Sequence, residues 1–149
     1  MQTTRRHARE WAIQMLTAAD LNPPEDIASF IATFWEEART FGDDEGGPWR
    51  VKGKLKAFVD ERVAGVLSAQ QELDGHLVPL LDNWDLYRLG TVERTVLRLG
   101  IWELLYTDVP PPVVINEAVD IVNWFSTPKS RLLVNGVLDK FAKSRKADS

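Results

Sequence analysis

Apolar residues recur every three or four positions along most of this chain, a spacing typical of amphipathic helices. In the first such stretch the apolar positions are Ala8, Trp11, Ala12, Met15, Leu16 and Ala19. No stretch sustains the alternation of apolar and polar residues that marks a half-buried strand. The pattern therefore predicts an all-α protein with about seven helices.

Prolines, glycines and capping residues divide the pattern into separate helices. The predicted helices cover roughly 4–21, 23–41, 49–74, 76–88, 91–107, 112–125 and 128–141. Pro23 or Pro24 is expected to open the second helix, and Gly75 is expected to end the third. Pro128 should occupy the first position of the last helix, after a cap at Ser126 or Thr127. The stretch 42–48, "GDDEGGP", is predicted to be an acidic loop.

The last helix contains an unexpected glycine. Its apolar stripe is Leu133, Val134, Val137, Leu138 and Phe141. Gly136 falls within this stretch, where glycine costs about 1 kcal/mol relative to alanine. We expect Gly136 to let the helix approach the backbone of helix 91–107 closely, and the neighbouring Asn135 to satisfy a buried backbone group.

Helix 91–107 is apolar on most of its faces, which predicts that it is central and buried. No linker along the chain is long or polar enough to separate independent domains. We therefore expect one domain over residues 1–149, built from an N-terminal bundle of about 1–75 and a C-terminal bundle of about 76–149.

Composition narrows the class of protein. The chain has 149 residues, of which 44% are hydrophobic and 27% charged, as in globular proteins that bury a core. No window resembles a membrane span or a signal peptide, so a cytoplasmic protein without a membrane partner is expected. The absence of cysteine excludes disulfides, thiol catalysis and cysteine-bound zinc.

Charge is divided along the chain. Residues 1–10 carry a net charge of +2 and residues 129–149 carry +4, whereas residues 11–128 carry −10. Such a division concerns binding partners more than the fold. Solvated helix ends with a basic tail are the simpler interpretation, and two basic ends that bind a polyanion are the functional one.

Candidate catalytic groups are few. Neither His7 nor His76 has a second ligand at metal-binding spacing. Glu103 and Glu117 lie within apolar helices, where pairing with an arginine such as Arg94 or Arg98 is the favoured explanation. The sequence thus predicts no enzyme, no metal site and no cofactor.

A binding function is better supported, by the stretch "RRHAR". It places Arg5, Arg6 and Arg9 at a helix N-terminus, where positive charge opposes the helix dipole. The guanidinium group suits phosphate oxygens and also stacks on bases. This cluster favours a polyanionic ligand.

The last third of the chain resembles the NusB family of bacterial transcription antitermination factors. Four motifs occur in the family's order: "LRLGIWEL" at 97–104, "VINEAVDIV" at 114–122, "FSTPKS" at 125–130 and "VNGVLDK" at 134–140. The "RRHARE" start is similar to the family's arginine-rich N-terminus.

This resemblance implies two small helical bundles and a non-enzymatic role. It implies binding of boxA-type single-stranded RNA in nascent transcripts, notably of ribosomal RNA operons. The implied protein partners are a ribosomal protein acting as NusE and the RNA polymerase antitermination complex. Whether the chain also forms a homodimer stays open.

The resemblance also implies which residues bind. Arg5, Arg6 and Arg9 correspond to the RNA-binding motif, and Lys129, Ser130 and Arg131 to a turn that lies near RNA. The partner region would contain Trp84, Tyr87, Arg88 and Glu93.

Aromatic positions are where the chain departs from the family. Thr17 stands where the family often has tyrosine, and Leu132-Leu133 replaces Lys-Phe. These losses favour an alternative, a protein-interaction module of the NusB type whose RNA binding is weakened or lost.

Overall fold

The computed structural model describes residues 5–41, 53–82, 84–125 and 127–147, which contain seven α-helices and no strand. The helices are α1 (Arg5–Leu21), α2 (Ile27–Phe41), α3 (Lys54–Ser68), α4 (Gln70–Leu77), α5 (Thr91–Tyr106), α6 (Pro111–Phe125) and α7 (Pro128–Ala147). Short 3-10 helices cover Val78–Leu81 and Leu86–Arg88. The predicted all-α class is confirmed. None of the described helices is long and apolar enough to cross a membrane.

The chain forms two compact units, Met1–Leu67 and Ser68–Ser149. In the first unit, α1 buries the stripe that its periodicity predicts, from Ala8 to Ala19. Trp11 on α1 contacts Phe34 and Trp35 on α2, with ring centroids 5.9 and 5.5 Å apart. The indole nitrogen of Trp35 donates to Asp60 on α3 at 2.6 Å, so aromatic packing and one hydrogen bond join the three helices.

The start of α2 differs from the prediction that Pro23 or Pro24 opens it. The helix begins at Ile27, and Asp26 is its cap. The Asp26 carboxylate accepts from the backbone N–H of Ala28 at 3.2 Å and from the Ser29 hydroxyl at 2.6 Å. A capping carboxylate accepts hydrogen bonds from the first backbone N–H groups of a helix, which a proline side chain cannot do. The helix therefore begins just after Asp26. Gly42 and the acidic loop lie outside the described residues.

The predicted helix from Trp49 to Asp74 is also wrong, because it is interrupted at Ala69. That residue leaves the helical conformation, with φ −103° and ψ 12°, between α3 and α4. The break adjoins the boundary between the two units. Gly75, the expected breaker, lies inside α4, where burial of Leu73 and Leu77 outweighs its helix propensity. Residues 49–52 lie outside the described ranges.

Helix α5 is the core of the second unit, as predicted. Every residue from Arg94 to Glu103 is buried, and α4, α6 and α7 all contact this helix. Its two buried arginines have defined partners. Arg98 forms a two-pronged ion pair with Asp74 on α4, at 2.7 and 2.9 Å. Arg94 donates to the carbonyl groups of Leu86 and Leu89 at 3.3 and 3.0 Å.

The two helices that follow α5 begin at prolines. Helix α6 begins at Pro111, one residue before the predicted Pro112. Helix α7 begins at Pro128, as predicted, and the Ser130 N–H donates to the Thr127 carbonyl at 3.0 Å. Ser126, the other cap considered, lies outside the described residues.

Close helix contact depends on a different glycine from the one expected. Gly136 is exposed, and nothing lies within 4 Å of the position that a Cβ would occupy there. Asn135 is exposed too, so it does not serve a buried backbone group. The close approach is at Gly100 on α5, where a Cβ would lie 2.8 Å from both methyl groups of Leu138 on α7.

Replacing Gly136 by alanine is expected to raise the free energy of unfolding by about 1 kcal/mol. Alanine is the better helix former, and the added methyl group contacts no other residue. Chemical denaturation measures the change. Gly75→Ala is a matched control, since Gly75 is also exposed within a helix with nothing near its Cβ position. A Gly136→Ala variant less stable than the parent would show that the fold needs this glycine.

Gly100→Ala is expected to lower the free energy of unfolding by about 1–3 kcal/mol, because fully buried Leu138 must move against its neighbours. The same denaturation experiment in a Leu138→Ala background separates this contact from other effects. There the added methyl has room, so Gly100→Ala should cost clearly less. Equal costs in the two backgrounds would contradict the assigned contact.

Candidate nucleic-acid interface

The arginines at the start of α1 divide into exposed and buried members. Arg5 and Arg6 are exposed, whereas Arg9 is only 4% exposed. The guanidinium carbons of Arg5 and Arg9 lie 5.8 and 5.2 Å from the centre of the Phe58 ring on α3. Arg9 therefore presents little surface to a ligand, and Arg5 and Arg6 are the members of this motif that are accessible to one.

A third arginine also packs on the Phe58 ring. Buried Arg62, one turn along α3, places its guanidinium carbon 3.4 Å from the ring centre. Stacking of guanidinium groups on an aromatic ring is favourable, more so when the groups are desolvated. Sequence reasoning missed Phe58 and Arg62 as part of the site. The available signal was a charged residue, Arg62, within the apolar stripe of Val59, Val63 and Val66.

Residues 129–131, here called the basic turn, form the first turn of α7. Lys129 and Arg131 are exposed, and Ser130 is half-buried. The Ser130 hydroxyl donates to a carboxylate oxygen of Glu93 on α5 at 2.8 Å. One predicted RNA-binding residue thus contacts one predicted partner-binding residue, which joins the two predicted surfaces of the second unit.

Residues 84–88, here called the aromatic segment, precede α5. Trp84 and Tyr87 are 63% and 69% exposed, and Arg88 is exposed as well. The Asp85 carboxylate accepts from the Tyr87 N–H at 2.9 Å and so fixes the local turn. Exposed aromatic side chains held on an ordered backbone are typical of protein-binding surfaces.

A second exposed apolar pair was not predicted. Trp124, in the last turn of α6, is 78% exposed, and Leu132, in the second turn of α7, is 75% exposed. Trp124 lies off the buried stripe of α6, which is Val114, Ile115, Ala118, Ile121 and Val122. A large apolar residue on a polar face was the signal in the sequence. The two residues flank the connection that leads into the basic turn.

The titratable side chains with described contacts fit structural roles. His76 packs edge-on against Phe141, with ring centres 5.3 Å apart. Tyr106 donates a hydrogen bond to Glu72, which raises the pKa of the tyrosine hydroxyl above its ordinary 10.0. Within the part of the chain that the structure describes, no three histidine, aspartate or glutamate side chains are grouped to hold a metal ion.

Comparison with known proteins agrees with the motifs. The model of the NusB family matches residues 6–143. The chain is 37% identical over 146 residues to the transcription antitermination protein NusB of a Nitratiruptor species, covering 98% of this chain and 96% of that protein.

Solved structures give the same result. T. maritima NusB matches with a TM-score of 0.79 at 30% identity, covering 96% of this chain and 93% of that one. A crystal structure of the antitermination factors NusB and NusE in complex with dsRNA contains a chain that matches with a TM-score of 0.76 at 27% identity. That match covers 94% of this chain and 96% of the other.

Arg9→Ala is expected to lower the free energy of unfolding by about 1–3 kcal/mol, because it removes a buried stem and its contact with Phe58. Arg5→Ala removes the same charge from an exposed position and should change stability by less than about 0.5 kcal/mol. Urea denaturation of both variants measures the difference. Equally small effects would mean that Arg9 is not held in the packing around Phe58.

Proposed function

The chain belongs to the NusB family, and from this we propose that it is a transcription antitermination factor without enzymatic activity. Its RNA target would be the boxA element of nascent transcripts, notably those of ribosomal RNA operons. Its protein partner would be a small-subunit ribosomal protein acting as NusE, within an RNA polymerase antitermination complex in the cytoplasm. The match to the family over nearly the whole chain is the observation that carries the proposal.

The distribution of exposed positive charge supports RNA binding. Arg5 and Arg6 are exposed on α1, and Lys129 and Arg131 are exposed in the basic turn. Each contact between such a group and a phosphate releases counterions from the RNA, so these contacts would supply much of the affinity. Arg9 would act as a positioning residue, because it packs on the same ring as Arg5.

Protein binding is supported by the aromatic segment. Trp84 and Tyr87 expose large apolar surface, which side chains of this kind commonly bury in a partner. The central stretch of the chain, residues 11–128, carries a net charge of −10. A ribosomal protein is basic as a rule, so this excess of acidic groups would favour encounter with it.

Joint binding of RNA and ribosomal protein is supported by one hydrogen bond. The contact between Ser130 and Glu93 connects the basic turn to the start of α5, which follows the aromatic segment. A partner bound to the aromatic segment and the start of α5 would hold Glu93 in the position that orients Ser130 and the basic turn. RNA bound to the turn would favour the same arrangement, which makes the two binding events cooperative.

A second candidate function is a protein-interaction module that no longer binds RNA. The observation in its favour is the replacement of Lys-Phe by Leu132-Leu133, since exposed Leu132 carries no charge for a phosphate and half-buried Leu133 has no π-face for a base. Under this reading the aromatic segment would bind the ribosomal protein, and the basic groups would only be solvated. Direct RNA titration separates the two candidates.

Arg5→Ala combined with Arg6→Ala is expected to weaken binding of boxA-type RNA by about tenfold or more, through loss of charge-assisted hydrogen bonds. The slope of log affinity against log salt should become shallower by about 0.7 for each lost phosphate contact. Fluorescence anisotropy at several salt concentrations measures both quantities.

A control for lost positive charge is Lys143→Ala on α7, where the exposed lysine pairs with Asp139 at 2.9 Å. It should leave affinity and slope nearly unchanged. If the parent chain binds no RNA with or without the ribosomal protein, the module is the correct reading.

Trp84→Ala and Tyr87→Ala are each expected to weaken binding of the ribosomal protein by about tenfold or more, as truncation of interface aromatics commonly does. Calorimetric titration without RNA measures this effect. Trp124→Ala is the matched control, because it removes an equally large exposed aromatic side chain from outside the aromatic segment. Unchanged affinity in both segment variants would remove this surface from the proposal.

A further inference from the structure

Trp124 has the most exposed side chain among the large apolar residues in the described ranges, at 78%. It lies in the final turn of α6, two residues before Ser126. Burying an indole is strongly favourable, and this one is left in water. The packing of α6 uses a different face of the helix, so the fold gives no reason for an aromatic residue here.

The residues that follow Trp124 supply positive charge and no negative charge. From Trp124 to Leu132 the sequence reads "WFSTPKSRL", which contains Lys129 and Arg131 and no aspartate or glutamate. Both cations are exposed. The backbone that carries them is anchored by the hydrogen bond from Ser130 to Glu93 and by the Ser130 N–H on the Thr127 carbonyl. Trp124 therefore lies close along the chain to an ordered turn with two exposed cations.

We propose that Trp124 is a stacking platform for an unpaired base of RNA whose phosphates contact Lys129 and Arg131. This inference rests on the proposed RNA-binding function and names a residue that performs it. A positively charged track beside exposed aromatic rings is the usual construction of single-strand binding sites, because every base has a π-face. Stacking on Trp124 would supply the aromatic contact that Thr17 and Leu132-Leu133 no longer provide.

RNA fits this surface better than a protein partner does. Protein interfaces are depleted of lysine, whereas Lys129 is exposed in this turn. Stacking on Trp124 would also require the RNA to be single-stranded at this point. Bases inside a duplex are not available for stacking on a side chain, so Trp124 would contribute to single-strand binding alone.

The test is binding of labelled single-stranded boxA-type RNA to the full chain, by fluorescence anisotropy over a range of salt. Trp124→Ala is expected to weaken binding about 5- to 100-fold. Trp124→Phe keeps a π-face and should recover most of the affinity. Val78→Ala removes another exposed apolar side chain of the same unit, to which no binding role is assigned, and should bind RNA like the parent.

Two further readouts separate stacking from other roles. Trp124→Ala should leave the salt slope unchanged, because stacking releases no counterions, whereas Lys129→Ala and Arg131→Ala should each make it shallower. The melting temperature of Trp124→Ala should equal that of the parent, because the indole is exposed. A duplex of the same sequence should bind parent and Trp124→Ala equally well.

Three results would count against the inference, and only the third is also a failure of the proposed function. If the parent binds RNA and Trp124→Ala binds it as tightly, the stacking role is wrong while the function stands. If Trp124→Ala loses only the ribosomal protein, the surface is a protein interface and the inference is overturned. If the parent binds no RNA at any salt, with or without the ribosomal protein, the proposed function fails and the inference with it.

Discussion

Glu93 and Arg94, neighbours in the first turn of α5, bind two different parts of the second unit. Glu93 accepts a hydrogen bond from Ser130 and so holds the basic turn. Arg94 donates to the carbonyl group of Leu86, within the aromatic segment, and to that of Leu89, directly after it. Because α5 is buried from Arg94 to Glu103, these contacts start from a tightly packed helix. The groups proposed to bind RNA and those proposed to bind the ribosomal protein in this unit are both held by this turn.

Patterns within a single helix were predictable from the sequence. The stripe of α1, the burial of α5 and the start of α7 at Pro128 each follow from apolar spacing or capping over a few residues. The break at Ala69 was not predictable, because alanine is a good helix former and the break lies at the boundary between units. The cap at Asp26 is also a local feature, but the nearby prolines favoured an earlier start for the helix.

The other features that could not be predicted depend on contacts between residues far apart in the sequence. Gly100 and Gly136 both lie within helices, and only the position of Leu138 distinguishes the tightly packed glycine from the open one. Arg9 is buried and packs against the ring of Phe58, which lies 49 positions away in the sequence. A motif of three arginines therefore indicated a basic site but could not say which arginine is available to a ligand. Resemblance to the NusB family led to the proposed function, which periodicity and charge alone left open.

The first turn of α5 is proposed to couple RNA binding to partner binding. This coupling is tested most directly by the affinity for boxA-type RNA with and without saturating ribosomal protein, in the parent and in Glu93→Ala. In the parent, the ribosomal protein is expected to raise the affinity for RNA about fivefold or more. In Glu93→Ala, most of this increase should be lost. RNA affinity unchanged by the ribosomal protein, or a gain that Glu93→Ala retains in full, would contradict the coupling.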